Sequence, residues 1–452
     1  MALLVAGSAQ AQLAVPTLPT LPTTPGTALP GGVQLPQLPT SAVNNTVRRL
    51  DAVINDATTE VDTQGQRLLR AARVRELLRA NPDTLEADPN GMPVLRGQLI
   101  ALSPTPQALQ AIVAAGFIVS QEQGMDDLGI RMVTLQAPAG MSIRRALRRL
   151  RALDSSGSYD YNHVYLQSAA NSPAANKSTS STAVAAQPVD PGIRVGLIDG
   201  GVASTHPVFH GSKLISWGCD PAKPSAHGTA VASLLVGNSE HFSGAAPGAT
   251  LYAADVYCGQ PVGGSMVRIA AALSWLVQQQ VPVINISLVG PDNALLKQLM
   301  NNLIARGHVV VAAVGNDGPA AAPLYPAAYP GVVGVTAVDA HDRVLVEAGR
   351  GKQVDFAAPG ADMAAAVLDD VYANVRGTSF AAPLVAGLLA HSIKTPQPAA
   401  ALQAINILVA SAQDAGSRGV DKTYGNGVVG ESLRVTLAGL PTKSDQVVTA
   451  VH

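Results

Sequence analysis

Ile193-Arg194-Val195-Gly196-Leu197-Ile198-Asp199-Gly200-Gly201 reads as a strand without polar alternation that ends in a carboxylate on a tight glycine turn. Four more apolar runs of the same kind follow it: Thr250 to Val256, Val283 to Ser287, Val309 to Val314 and Val332 to Val338, with helical patterns between them. Continuous Val/Ile/Leu strands divided by helices predict an α/β domain, a parallel sheet with helices on both faces. In such sheets the ligand crevice lies beyond the carboxyl ends of the strands, so polar residues just after a strand carry the first functional signal. Three places qualify. Asp199 follows the first strand. His227 opens HGTAVASLLVG, with Gly228 and Thr229 starting a small-residue helix. Gly377-Thr378-Ser379-Phe380-Ala381-Ala382-Pro383 starts another helix, and Pro383 stands near enough to its beginning to cost at most one intrahelical bond.

A serine hydroxyl attacks a carbonyl only when a base removes its proton. The base keeps the right tautomer only when a buried acceptor holds its other nitrogen. Ser379, His227 and Asp199 supply the three groups. A donor for the developing oxyanion is offered by Asn316, in the Gly315-Asn316-Asp317-Gly318 turn after Val309 to Val314, together with the Ser379 N–H at the positive end of its helix. Each residue alone has a plainer reading as a turn or helix cap; the set, placed after matching strands, does not. Asp255 also follows a strand, but without a glycine turn. His206 precedes Pro207 with no carboxylate pair or cysteine at ligand spacing, so no metal site is expected.

The chain has 452 residues, enough for two or three domains. Its 30 basic and 31 acidic residues give a net charge of -1, which removes the electrostatic signature of a nucleic-acid or anionic-membrane binder. Mean hydropathy is +0.21, yet no uncharged apolar run reaches 18 residues, so no membrane span is expected. Two cysteines, Cys219 and Cys258, exclude a disulfide-rich scaffold and a four-cysteine zinc site. They allow one disulfide, which export would favour, with two buried thiols as the alternative.

Upstream, residues 1–11 end in Ala9-Gln10-Ala11, the small-x-small form of a signal-peptidase site, although no basic segment precedes the apolar run. A Pro-rich extended spacer spans 12–43, and 44–91 carries a basic amphipathic helix with Arg67, Arg70, Arg73, Arg75 and Arg79, read as a solvated face because acidic residues nearly balance the arginines. Between 92 and 167 the pattern is βαββαβ, predicting a ferredoxin-like antiparallel sheet with helices on one side and the other side open. Residues 168–190 read as a flexible linker, 191–440 as the α/β domain and 441–452 as a C-terminal tail.

The blocks DGGVASTHPVF at Asp199, HGTAVASLL at His227, GAAPGATLYAADVY at 244–257, INISLVGP at 284–291, VVVAAVGNDG at 309–318, YPAAYPGVVGVTAVD at 325–339, APG plus GTSFAAP at Ser379 and YGNGVV at 424–429 come in one order. In this they resemble the subtilisin-like serine proteases, the subtilases, over residues 191–440. The Asp, His, Ser order and the Asn donor are established features of subtilisin itself. The resemblance implies Ser379 as nucleophile, His227 as general base and acid, Asp199 as its orienter and Asn316 as oxyanion donor. It implies that protein or peptide substrates lie extended against Ser287, Leu288 and Val289, with Ala313, Val314 and Gly315 as the other wall of the first specificity pocket. Val289 and Val314 stand where smaller residues are common in the family, which narrows the expected groove, and Ala230 replaces a second histidine found in many members. The 92–167 unit is expected to be a pro-domain, an intramolecular inhibitor removed by autoprocessing within 166–190. The chemistry needs no cofactor, and the resemblance allows structural calcium without locating its ligands. Secretion to the periplasm, cell surface or medium follows. An α/β-hydrolase esterase would need a G-x-S-x-G elbow and a serine before the histidine, and neither is present. A non-catalytic peptide-binding scaffold is the remaining alternative.

Overall fold

An antiparallel sheet opens the described chain. It is built from β1 (Leu85–Ala87), β2 (Pro93–Leu102), β3 (Ile118–Met125), β4 (Ile130–Gln136) and β5 (Ser158–His163), with α1 (Pro106–Ala114) and α2 (Ile143–Leu153) between them. β2 is central, pairing with β4 along one edge and with β5 and β1 along the other, while β3 lies outside β4. The computed structural model describes residues 70–167, 174–179, 192–239, 242–260 and 263–440, all within the compact unit that begins at Asp56. The expected signal segment 1–11, the Pro-rich stretch 12–43, residues 44–69 of the basic segment, much of the linker and the tail 441–452 lie outside the described residues.

Period-two alternation divides the sheet between two cores. Leu99, Ala101, Val133 and Leu135 face α1 and α2, where Ile112, Ile143, Leu147 and Leu150 meet them. Arg144, Arg145, Arg148 and Arg149 remain on the solvent side of α2. Ile100 and Met132 point the other way. That second face was expected to be open, but it is covered: Ile100, Met125, Leu128 and Met132 join one core with Met266, Ile269, Leu295 and Leu299 of the following domain. Burying such side chains stabilises the contact by about 1.5–3 kcal/mol each, which is why an apolar sheet face does not stay in water.

After β5 come two short pieces, β6 (Leu166–Gln167) and β7 (Ala174–Thr179). The second lies inside the stretch read as a flexible linker; an open strand edge further along the chain gives it backbone partners. The main domain then runs β8 (Arg194–Asp199), β9 (Lys213–Trp217), α3 (Ala226–Val236), β10 (Thr250–Asp255), α4 (Met266–Gln278), β11 (Val283–Ile286), β12 (Leu288–Val289), α5 (Ala294–Ala305), β13 (Val309–Ala313), β14 (Val333–Val338), β15 (Phe356–Pro359), β16 (Met363–Ala366), β17 (Val371–Val375), α6 (Thr378–Ala390) and α7 (Pro398–Ser411). Seven of these strands form the parallel sheet in the order β15-β14-β13-β11-β8-β10-β9, and β7 pairs with β17 outside it. Neighbours of β8 come from both later directions of the chain, so Asp199 at its carboxyl end sits at a topological switch point. α3 and α6 are buried nearly all round, as their uncharged small-residue sequences require. Among the described residues no helix is long and apolar enough to cross a membrane.

The N-terminal unit also supplies helix caps to the main domain. Asp160 accepts from Ala294 N at 2.7 Å, beside the N-cap Asn293 of α5, and Asn162 Oδ1 accepts from Val267 N at 3.3 Å in the first turn of α4. Both satisfy backbone donors that the helices cannot satisfy themselves.

A half-buried carboxylate works against the fold. Burial pushes Asp355, just before β15, up to about 6, although Gly334 N donates to it at 2.8 Å. A raised folded-state pKa means that the native protein holds this proton more tightly than the unfolded chain, so its stability contribution is full below about pH 4 and is lost as the pH rises towards 6. Asp355→Asn keeps the acceptor and removes the charge. Urea unfolding should show it about 1–2 kcal/mol more stable than wild type at pH 8 and equal near pH 4; a difference independent of pH would refute the assignment.

Candidate active site

Asp199 ends β8 and stands in register with Asp255 of β10. The two acids have different tasks. Asp255 Oδ1 accepts from Tyr257 N and Cys258 N at 2.9 and 2.8 Å, and burial raises its pKa. Asp199 Oδ1 accepts from Gly200 N at 2.6 Å and from His227 Nδ1 at 2.9 Å. A carboxylate on Nδ1 fixes the imidazole tautomer with Nε2 as the proton-accepting nitrogen. His227 is the second residue of α3, whose N-cap Ser225 accepts from Gly228 N at 3.0 Å and donates its own N–H to Gly201 O at 2.8 Å. Any side chain at Gly228 would run into the Gly200 carbonyl, so glycine after the histidine is what lets the helix seat on the Asp199 turn. Asp199 Oδ2 and His227 Nε2 are buried without hydrogen-bond partners among the described residues.

Ser379 is the second residue of α6 and is fully buried. The His227 ring lies 5.4 Å from that of Phe380, the residue that follows Ser379. Pro383 has no N–H for the carbonyl four residues back, that of Ser379, and the Ser287 hydroxyl takes the place of that donor at 3.0 Å. Ser379 Oγ in turn donates to Ser287 O at 3.4 Å. Asn316 Oδ1 accepts from Thr378 N at 3.1 Å, and the Thr378 hydroxyl accepts from Gly315 N at 3.2 Å. With its oxygen committed to the helix, the donor of the Asn316 amide is Nδ2. Gly377 before the helix has φ 135°, a conformation closed to residues with side chains.

Ser287, Leu288, Val289, Ala313 and Val314 are all buried, and Gly315 has φ 94° at the end of β13. The edge of β12 is occupied by the chain itself: Leu166 pairs with Val289 and Gln167 with Leu288. On the other side Tyr165 N donates to Gly264 O at 2.9 Å, and Val164 bridges Ser265. Residues 164–167 are thus held between two walls, of which Gly264–Ser265 was not read from the sequence. Gln167 Nε2 reaches Asp199 Oδ1 at 3.3 Å.

Arg70, at the start of a helical stretch over 70–80, pairs with Asp317 at 2.8 Å, next to Asn316. At this residue the basic face expected to be solvated is committed to an acid 247 positions away. Cys219 and Cys258 form a disulfide with Cα atoms 5.6 Å apart, so their proximity to Asp255 does not make a thiolate ligand set. Neutral His206 accepts from Val208 N at 3.1 Å and sits edge-on to Tyr372; burial lowers its pKa.

A parallel sheet with this Asp, His and Ser rim defines a class, the subtilisin-like hydrolases. The chain belongs to the subtilase family of serine proteases, whose sequence model matches residues 190–427. Subtilisin DY of Bacillus licheniformis is 32% identical over 246 residues, covering 52% of this chain and 88% of its own. Subtilisin Savinase of Lederbergia lenta is 35% identical over 250 residues, covering 53% and 88%. The crystal structure of fervidolysin from Fervidobacterium pennivorans, a keratinolytic enzyme related to subtilisin, superposes with a TM-score of 0.61 at 22% identity. That match covers 75% of this chain and 61% of fervidolysin, and it shows the shared fold.

Proposed function

We propose that the protein is an exported serine endopeptidase made as a zymogen. Ser379 Oγ attacks the substrate carbonyl as its proton passes to His227 Nε2, and Asp199 stabilises the imidazolium through the 2.9 Å bond to Nδ1. The tetrahedral oxyanion is held by Asn316 Nδ2 and the Ser379 N–H. His227 then protonates the leaving amine, and water cleaves the acyl-enzyme by the same route in reverse. The observation that carries this reading is the Asp199 to His227 hydrogen bond, formed at the mouth of the helix that bears Ser379. The disulfide supports an oxidising compartment. Treatment with a serine-directed fluorophosphonate tests it: label is expected on Ser379 of the processed protein and absent in His227→Ala. Processed wild type that takes no label would favour the scaffold alternative.

In the zymogen reading, the 92–167 unit is the inhibitor and its residues 164–167 are the tail, lying where a substrate would lie. Gln167 pairs with Leu288, and the residue before Leu288 on that edge, Ser287, touches Ser379 through both its carbonyl and its hydroxyl. The bond after Ser168 is therefore the one we assign to self-cleavage, narrowing the expected interval of 166–190. Wild type should begin at Ala169 when its N-terminus is sequenced, while Ser379→Ala stays at the longer length. Equal processing of both proteins would reject cleavage by their own serine.

A further inference from the structure

Asn285 is a fully buried amide in β11, the strand between β8 and β13 in the parallel sheet, and the proposed mechanism gives it no task. Its register neighbours Leu197 and Val311 belong to the apolar core that also holds Phe380 and Leu384 of α6. An aliphatic side chain would suit that place better. Asn285 Oδ1 is buried without a hydrogen-bond partner among the described residues, and an unpaired buried acceptor lowers stability. The amide's other atom is the one that is used. Period two puts Ser287 on the same face, and Asn285 Nδ2 donates to Ser287 Oγ at 2.9 Å. The hydroxyl has a single proton of its own, which goes to Ser379 O at 3.0 Å, the carbonyl that Pro383 leaves without its helical donor. Both bonds run in one direction, so the amide fixes the hydroxyl rotor and the hydroxyl fixes the first turn of α6.

We propose that Asn285 is a positioning residue for the nucleophile, acting on Ser379 through the Ser287 hydroxyl; the inference rests on the endopeptidase reading. Ser379 carries both the attacking Oγ and the N–H offered to the oxyanion, so a donor held on its carbonyl sets the backbone from which both project. Removing the amide releases the hydroxyl rotor. The Ser379 carbonyl then loses a donor that the helix cannot replace, because residue 383 has no N–H. Displacement of a nucleophile by a fraction of an ångström to an ångström costs about 10- to 10²-fold in the rate of bond making. Substrate binding is left nearly as it was, since Asn285 lies inside the sheet and not on the β12 edge. The amide thus trades stability for placement: replacing it by an aliphatic residue of similar size removes the unpaired oxygen and the rate together.

The test is a set of double-mutant cycles on processed enzyme, with active sites counted by exhaustive fluorophosphonate labelling and folding followed by the urea midpoint. Asn285→Leu should lose about 10- to 10²-fold in kcat and in the rate constant of labelling, with KM within about threefold and a midpoint no lower than that of wild type. Ser287→Ala, a smaller change that removes the middle link, should lose as much as Asn285→Leu, and the two together no more than either. Pro383→Ala returns an N–H to the Ser379 carbonyl, so in that background Asn285→Leu should cost less than about threefold in kcat. A purely structural amide would lower the midpoint and leave kcat per labelled site within about threefold of wild type, and that outcome overturns the proposal. A loss carried by KM alone overturns it too, as do strictly additive losses for Asn285→Leu and Ser287→Ala. Wild type that takes no label overturns the endopeptidase reading itself, and the positioning role with it.

Discussion

His227→Ala should lower kcat/KM for peptide hydrolysis about 10⁶-fold, an order established for subtilisin rather than derived from the distances here. The size of the loss comes from the way the groups act together. In the proposed mechanism the imidazole is the base that takes the Ser379 proton; Ser287 O, which the hydroxyl touches at 3.4 Å, is a backbone carbonyl and not a base at neutral pH. Asp199 in the same mechanism orients the ring through Oδ1, which also accepts from Gly200 N, and does not itself take the serine proton. The double variant His227→Ala, Ser379→Ala should therefore be no slower than either single one, since each removal already disables the whole unit. Steady-state assays with active protein counted by circular dichroism and mass would check this. Activity within about tenfold of wild type in His227→Ala would remove the mechanism, and a strictly additive double variant would show that the two residues act independently.

The strands that position this site were legible because they are rich in β-branched and other aliphatic residues. Arg194 to Ile198, Thr250 to Val256, Val283 to Ser287, Val309 to Val314 and Val332 to Val338 all appear in the sheet with ends shifted by no more than a residue. Its two outer strands were not read. Lys213–Trp217 and Phe356–Pro359 are short, and one is half polar and the other rich in alanine and closed by proline, so neither carries a periodic signal. What the sequence could not express at all is pairing between distant segments. Pro383 was read as a tolerated breach of helix rules; that its missing N–H is answered by the Ser287 hydroxyl depends on two segments 92 residues apart meeting. The same holds for Arg70 with Asp317, for the caps that Asp160 and Asn162 provide, and for the Tyr165 hydroxyl on Pro291 O. The open face assigned to the βαββαβ sheet follows the same logic. A two-layer pattern is visible within 75 residues of sequence, but the second layer on the other side is made by α4 and α5, which no local pattern connects to it.

The second large effect concerns stability. Replacing both Cys219 and Cys258 by serine should lower the unfolding free energy by about 4 kcal/mol, the chain-entropy value for a closure of 39 residues. The catalytic rate should change far less, and the reason is local. The disulfide ties the loop ahead of Ser225, the cap of the His227 helix, to the segment that leads from Asp255 to the Gly264 wall. Arg268 spans the same two segments: Nη2 donates to Gly218 O at 3.0 Å and touches the disulfide at Cys258 Sγ at 2.8 Å, and Nε donates to Val256 O at 3.1 Å, with the guanidinium 5.7 Å from the Trp217 ring centre. With that strap in place, the folded variant keeps His227 on Asp199, and the missing covalent link is felt mainly in the unfolded chain, which gains conformations. Urea unfolding of the double serine variant beside wild type, with kcat/KM measured in the absence of denaturant, separates the two contributions. A midpoint shift with kcat/KM held within about tenfold is the expected outcome. Loss of kcat/KM beyond about 10²-fold at full folding would instead make the disulfide a positioning element of the site, and would show that Arg268 alone does not hold the loop.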